Sequence, residues 1–166
     1  MKIEYITNVG FIINGKEFNW EDERIDARKK LNNQHTENDI FFENSIFFDG
    51  DKSYDIYQKR DVYQNMNNEK NHFFLNYDRE EKLESLEVHS GITISVNDIE
   101  LVFKKDINDY LKLLKSIGQD YMEIEDGNFL FQNLKVTIAN SKSMGGKGKG
   151  LSYFYASKNI DHLIEE

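Results

Sequence analysis

The segment GITISVNDIELVFKKDINDYLKLLKSIG, residues 91–118, predicts a β-hairpin followed by an amphipathic helix. Apolar residues alternate with polar ones on both sides of Asn97-Asp98, a dipeptide that is typical of a hairpin turn. Farther along, apolar side chains recur at helical spacing at Ile107, Tyr110, Leu111, Leu114 and Ile117. Asp106 is placed to cap this helix and Gly118 to end it. The segment therefore predicts a ββα unit.

An earlier part of the chain follows the same plan. Asn14-Gly15 is a strong hairpin signal, and residues 21–31 carry acids in the first turn and bases in the last, as the helix dipole favours. Strand pairs are predicted after each helix, over 40–48 with 54–58 and over 121–125 with 129–138. The chain thus contains a weak ββα-ββ repeat, with halves of about 1–66 and 90–156.

The two halves are expected to share one core, because both carry apolar faces and 166 residues suffice for a single domain over 1–166. Residues 72–77 and 83–88 predict a further hairpin between the halves, and 157–165 a short terminal helix. We therefore predict an α+β fold dominated by antiparallel sheet, built as two packed sheets or one strongly curved sheet. Two or three helices are expected on its outside.

The charge balance limits the classes of partner. The chain has 30 acidic against 21 basic residues, a formal net charge of -9, and no cysteine. Phosphate-backbone binding depends on a surplus of basic residues, so we expect no direct nucleic-acid contact. An acidic surface would attract a basic partner, and the other interpretation is a solvated surface that keeps the protein soluble. No apolar run is long enough to cross a membrane, and the N-terminal residues lack the apolar stretch of a signal peptide. The expected location is the cytoplasm, without a membrane partner.

Few residues offer catalytic chemistry. His72 and His89 can approach each other and Glu87 across the central hairpin, but nothing in the sequence specifies the geometry of a metal site. Glu123 and Glu125 lie on one face of a predicted strand, where paired carboxylates can serve a small metal-dependent hydrolase or nuclease. Carboxylates beside an exposed turn are usually solvated. We therefore expect no catalytic residue, metal or cofactor, and keep the hydrolase as the alternative.

A glycine-rich stretch, MGGKGKG, occupies residues 144–150. It fails as a phosphate-binding P-loop, because Gly148-Lys149 is followed by glycine where the motif needs serine or threonine. The turn chemistry of glycine predicts a mobile connection between strands over 134–139 and 151–156. The other interpretation is that Lys147 and Lys149 contact a partner.

Aromatic and acidic residues interleave between positions 37 and 63. Aromatic rings supply contact area and carboxylates supply steering, so this mixture suits a surface for a basic protein partner. Alternating aromatics in strands usually pack inward, and we expect most of these rings in the core with Tyr54 and Tyr57 exposed. The residues predicted to bind a partner, here and in the glycine-rich stretch, are Asp49, Asp51, Tyr54, Asp55, Tyr57, Lys147 and Lys149.

The hairpin and helix over 92–117 and the tail GLSYFYASKNIDHLI, residues 150–164, resemble in overall plan the immunity proteins of bacterial contact-dependent growth inhibition systems. The resemblance implies a protein without enzyme activity that binds and neutralises a toxin domain, often a nuclease. The implied partner is the cognate toxin C-terminal domain, held 1:1 by a monomer. Acidic residues would cover the toxin's basic cleft, or the two chains would pair by strand addition. A regulatory domain that binds another protein is a further alternative.

Overall fold

Two β-sheets pack against each other in the computed structural model, which describes residues 1–164. The described strands are β1 (Lys2–Ile6), β2 (Gly10–Ile13), β3 (Lys16–Asn19), β4 (Thr36–Glu37), β5 (Ile40–Phe42), β6 (Ile56–Gln64), β7 (His72–Tyr77), β8 (Leu83–Ser90), β9 (Thr93–Val96), β10 (Ile99–Val102), β11 (Met122–Glu125), β12 (Asn128–Phe131), β13 (Val136–Asn140) and β14 (Leu151–Ser157). The described α-helices are α1 (Arg24–Lys30) and α2 (Ile107–Ser116).

The smaller sheet has the order β10-β9-β1-β2-β3, and its central pair, β1 with β9, is parallel. The larger sheet is antiparallel, in the order β11-β12-β13-β14-β8-β7-β6-β4, with β5 pairing the first residues of β6. Tyr5 of the smaller sheet meets Phe154 of the larger one edge to face, with ring centroids 6.1 Å apart. The predominantly antiparallel α+β fold is confirmed, in the form of two packed sheets.

Both hairpins of the smaller sheet turn where the sequence predicts. Asn14 and Gly15 have φ values of 49° and 78°, and Asn97 and Asp98 have 46° and 64°. Two consecutive positive φ values define the turns that match the twist of a hairpin, and asparagine, aspartate and glycine tolerate them best. The turn chemistry therefore sets the register of β2 with β3 and of β9 with β10.

The two helices lie at opposite margins of the sandwich. In α2, Asp106 accepts a hydrogen bond from the backbone N–H of Asn108 at 2.9 Å, and the Tyr110 hydroxyl bonds both backbone groups of Val102 in β10. α1 lies beside β3 and β6, where Ala27 is fully buried. The two helices thus cover the open sides between the sheets.

The order of elements is similar in the two halves of the chain. Hairpins β2-β3 and β9-β10 flank β1 in the smaller sheet, and each is followed by a helix. After α1 the chain enters one margin of the larger sheet, and after α2 it enters the other, with the β7-β8 hairpin between. One cluster of buried apolar side chains draws on both halves.

Three segments differ from the prediction. The strand predicted over 40–48 ends at Phe42, because the chain then forms two 3₁₀ turns, Asn44–Phe47 and Lys52–Tyr54. The strand predicted over 129–138 is interrupted by a turn at Gln132–Leu134. The described part of the terminal helix is a single 3₁₀ turn, Asp161–Leu163, and Glu165 lies outside the described residues.

The first helix is also shorter than predicted, because Glu21 adopts a positive φ and only Arg24–Lys30 is helical. Its apolar face is thin, since Ala27 is buried but Ile25 is 61% exposed. None of the helices within residues 1–164 has the length and apolar character needed to cross a membrane.

Candidate functional site

Residues 40–58 form a two-stranded ribbon that continues beyond the edge of the larger sheet, and we call it the arm. Its strands are β5 and the first three residues of β6. β7 pairs with β6 only from Lys59 onward, so in the described structure residues 56–58 have a strand neighbour on one side alone. Two 3₁₀ turns make the tip of the arm.

The arm exposes large apolar side chains on both of its faces. Phe41 lies opposite Tyr57 and Phe42 opposite Ile56, so the two cross-strand pairs point to opposite sides of the ribbon. Eight arm side chains are 48–77% exposed: Phe41, Phe42, Ile46, Phe47, Phe48, Tyr54, Ile56 and Tyr57. Exposed apolar side chains concentrated in one short segment are characteristic of a protein-binding site. The expectation that most of these rings are core is wrong, whereas the exposure of Tyr54 and Tyr57 is confirmed.

Polar contacts hold the tip of the arm in shape. Asp55 accepts a hydrogen bond from the backbone N–H of Ser45 at 2.8 Å, and Asp51 accepts one from the N–H of Ser53 at 2.9 Å. These backbone hydrogen bonds lower the pKa of both carboxyl groups. The ring of Phe48 stacks on Tyr54 with centroids 4.2 Å apart. Two of the predicted binding acids therefore also organise the tip, and Asp49 beside them is exposed with a φ of 53°.

A buried ionic network fastens the base of the arm to α1. The guanidinium of Arg24, 2% exposed, bonds both oxygens of Asp39 at 2.7 and 2.9 Å and one oxygen of Asp61 at 2.7 Å. Arg28, one helical turn later, bonds both oxygens of the same fully buried Asp61 at 2.7 and 2.8 Å. Asp39 also accepts the backbone N–H of Arg60 at 3.0 Å. The strands that enter and leave the arm are thus tied to one helix.

The network affects the ionisation of its carboxylates. Burial alone would raise the pKa of Asp61, but hydrogen bonds from Arg28 and Arg24 outweigh burial and hold that pKa below its ordinary value. The pKa of Asp39 is lowered chiefly by its hydrogen bonds from Arg24. Both carboxylates therefore stay charged at neutral pH, which keeps the base of the arm closed.

The structure does not bring all the predicted binding residues together. Lys147 and Lys149 lie in the loop that joins β13 to β14, which starts at Leu151. Ser157, six residues farther along β14, pairs with Ser85 near the start of β8. The arm leaves the sheet at this same end, because the start of β8 pairs with the end of β7, which pairs with Lys59 of β6. Six strand residues span about 20 Å. The two lysines and the arm are therefore at opposite ends of the larger sheet.

The glycine-rich loop joins β13 to β14, as predicted. Its hydrogen bonds are largely internal: the N–H of Gly146 donates to the carbonyl of Ser141 at 2.7 Å, and the N–H of Ser141 donates to the carbonyl of Gly150 at 2.9 Å. The carbonyl of Lys149 accepts the first N–H of α2, from Ile107, at 2.9 Å. The loop thus braces the start of a helix.

His72, His89 and Glu87 do meet, on the face of the larger sheet that points away from the core. The two imidazole centroids are 5.1 Å apart, and Nε2 of His89 lies 3.6 Å from Oε2 of Glu87. The Glu87 carboxylate is already occupied, since Arg60 donates to it at 2.5 Å and Tyr153 at 3.1 Å. Among residues 1–164 no three acidic or histidine side chains are placed to hold a metal ion. Glu87 is thus held by hydrogen bonds from other residues, whereas Nε2 of His89 has no hydrogen-bond partner within residues 1–164.

The carboxylates of the hydrolase alternative lie at the far margin of the larger sheet. Glu123 and Glu125 are both exposed on β11, and a register irregularity separates them. Glu123 accepts the backbone N–H of Gly127 at 2.8 Å, so it stabilises the turn to β12. Neither carboxyl group contacts a histidine among the described hydrogen bonds.

No protein-family model, curated protein or solved structure gives a significant match to this chain. What the protein binds is therefore inferred from its own surface. Sequence reasoning missed the exposure of Phe41, Phe42, Ile46 and Phe47. It also missed the buried ionic network at the base of the arm, which we call the clamp. A signal for the clamp exists: Arg24 and Arg28 share one face of a helix whose apolar face is thin.

Proposed function

We propose that this protein is an immunity protein that binds and neutralises a basic toxin domain in the bacterial cytoplasm, with the arm as its main contact. The observation that carries the proposal is the exposure of eight large apolar side chains on a ribbon only two strands wide. A two-stranded hairpin is marginal in water, and large apolar groups that remain exposed on both of its faces favour burial against a partner.

The chemistry of the arm favours a partner with a basic surface around an apolar groove. Phe41, Phe42 and Phe47 supply desolvated contact area, as the anchors of protein interfaces do. The acidic Glu43, together with Asp49 at the tip, adds long-range attraction to positive charge. A nuclease cleft has this combination, because it must hold nucleic-acid phosphates. Occlusion of that cleft by a 1:1 complex would neutralise the toxin without chemistry.

The clamp at the base of the arm favours tight association. Arg24 and Asp61 are buried, so the arm is presented in one orientation before the partner arrives. A contact surface that is already ordered loses less conformational entropy on binding. The lysines at the other end of the sheet then lie outside this interface.

The test is calorimetric titration of the purified protein with the toxin domain encoded immediately upstream of its gene. Phe47→Ala is expected to weaken binding roughly 30-fold, the effect of a loss of about 2 kcal/mol at an interface anchor. The matched control is Ile25→Ala, which removes a 61% exposed aliphatic side chain from α1, outside the arm. It should leave the affinity within about twofold.

Two results would contradict the proposal. One is the absence of binding by a toxin domain that is shown to be folded and active. The other is equal loss of affinity in the Phe47→Ala and Ile25→Ala variants, since an interface centred on the arm cannot respond to both sites alike.

Asp49→Asn should weaken binding at low salt and have little effect at high salt, because salt screens the attraction between exposed charges.

A further inference from the structure

A cleft lies at the end of the molecule opposite the arm, between the chain preceding β7 and the ends of β9 and β10. Its volume is about 410 Å³, within the range of small-molecule sites. Ile92, Thr93, Val102 and Phe103 supply a lining that is mainly apolar, and Lys70 and Lys104 complete it. The cleft is therefore an apolar cavity with two cationic side chains.

Both lysines lack a carboxylate partner within residues 1–164, although the protein carries an excess of acids. Glu69, next to Lys70 in the chain, pairs instead with the N-terminal ammonium group at 2.5 Å. Two lysines without an ion pair beside an apolar surface leave positive charge available to a ligand.

The backbone holds the cleft open in one shape. Gly91 has a φ of 69°, and a Cβ atom at this position would overlap the carbonyl oxygen of Lys70, so only glycine permits the contact between these two walls. Lys104 is held with a φ of 73° by its N–H, which donates to the carbonyl of Leu151 at 2.8 Å. A ligand would enter a largely formed site, which is the usual state of small-molecule pockets.

We propose that this cleft binds a small organic carboxylate with an apolar body. The apolar lining would contact the hydrocarbon part of the ligand. The two lysines would bind its carboxylate, because an ammonium group acts as a point charge and suits a compact anion. Phosphate-bearing ligands are usually held by backbone amides at helix N-termini or by arginine, which do not line this cleft. The site is separate from the arm, so it is independent of the proposed toxin interface.

The experiment is a titration of the ¹⁵N-labelled full chain with octanoate, followed by amide chemical shifts, with 1-octanol as the uncharged probe. Octanoate should shift the amides of residues 91–93 and 102–104, and octanol should bind roughly tenfold more weakly because it lacks the charge-assisted contacts. The double variant Lys70→Gln with Lys104→Gln should weaken octanoate about tenfold.

The matched control is Lys147→Gln with Lys149→Gln, which changes the net charge equally at the same end of the molecule and leaves the lining intact. It should alter the affinity by less than about twofold. Thr93→Trp, which places a large ring in the cleft, should abolish octanoate binding in a chain whose remaining amide spectrum is unchanged. Three results would each overturn the proposal: no shifts around the cleft, equal affinities for octanoate and octanol, or equal effects of the two lysine pairs.

Discussion

Arg24 and Asp61 are charged residues placed almost entirely out of water. Asp61 is fully buried and Arg24 is 2% exposed, yet every oxygen of Asp61 is bonded by Arg24 or Arg28. Burial of two charges costs several kcal/mol each, and only good geometry with further hydrogen bonds offsets it. The pair therefore matters less for net stability than for what its loss would leave behind.

Replacement of Arg24 by alanine should destabilise the fold by about 3–5 kcal/mol, because it leaves the Asp61 charge buried with one partner fewer. Urea denaturation followed by circular dichroism measures this change. The control is Lys29→Ala, which breaks an exposed ion pair with Asp26 on the same helix and should cost less than about 0.5 kcal/mol. Similar losses in both variants would show that the buried network is not the main support of the arm's base.

At the scale of elements, glycine has different roles in two of the turns. Gly15, in the hairpin of β2 and β3, has a φ of 78°, and no other atom lies within 4 Å of the position that a Cβ atom would occupy there. Gly91, between β8 and β9, combines a positive φ with close contact to the backbone of Lys70. The first position restricts the backbone dihedral alone, whereas the second restricts space as well.

Gly15→Ala should therefore cost about 1 kcal/mol, the penalty of a left-handed conformation for a residue with a Cβ. Gly91→Ala should cost more than about 3 kcal/mol, since one backbone segment must move away from another. Thermal unfolding of the two variants at one pH measures the difference. Equal shifts in melting temperature would mean that residues 70 and 91 are not held together as the structure describes.

At the scale of the whole molecule, the two ends carry opposite charge and a buried ionic network lies between them. The acidic, aromatic arm occupies one end, and the cleft with Lys70 and Lys104 occupies the other. Between them, the carboxylates of Asp39, Asp61 and Glu87 have lowered pKa values because cationic or hydrogen-bonding partners favour their charged forms. Folding and the protonation state of these groups are therefore linked.

Stability should fall as the pH drops below about 4, the ordinary pKa of an aspartate in an unfolded chain. A group whose pKa is lowered by folding stabilises the native state above its unfolded pKa. That contribution disappears as the pH falls through the folded value. Urea denaturation at pH 7, 4 and 3 checks the effect, and Asp61→Asn should flatten the acid limb. An acid limb of the same slope in that variant would exclude Asp61 as a source.

The local elements of this protein follow from short-range signals in its amino-acid sequence. The hairpins at Asn14-Gly15 and Asn97-Asp98 and the helix after Asp106 follow from turn chemistry, capping and apolar spacing. These signals act between residues a few positions apart, so they are present in any local stretch of chain. The α+β class followed from their order.

The positions of the elements and the exposure of their side chains depend instead on long-range packing. The aromatic residues of 40–57 are of the same β-prone types that core strands carry, and their exposure arises because the ribbon extends past its neighbour β7. The parallel pairing of β1 with β9 and the separation of Lys149 from the arm likewise depend on contacts between distant segments. Burial is a property of what packs against a residue, and no local pattern in the chain contains that information.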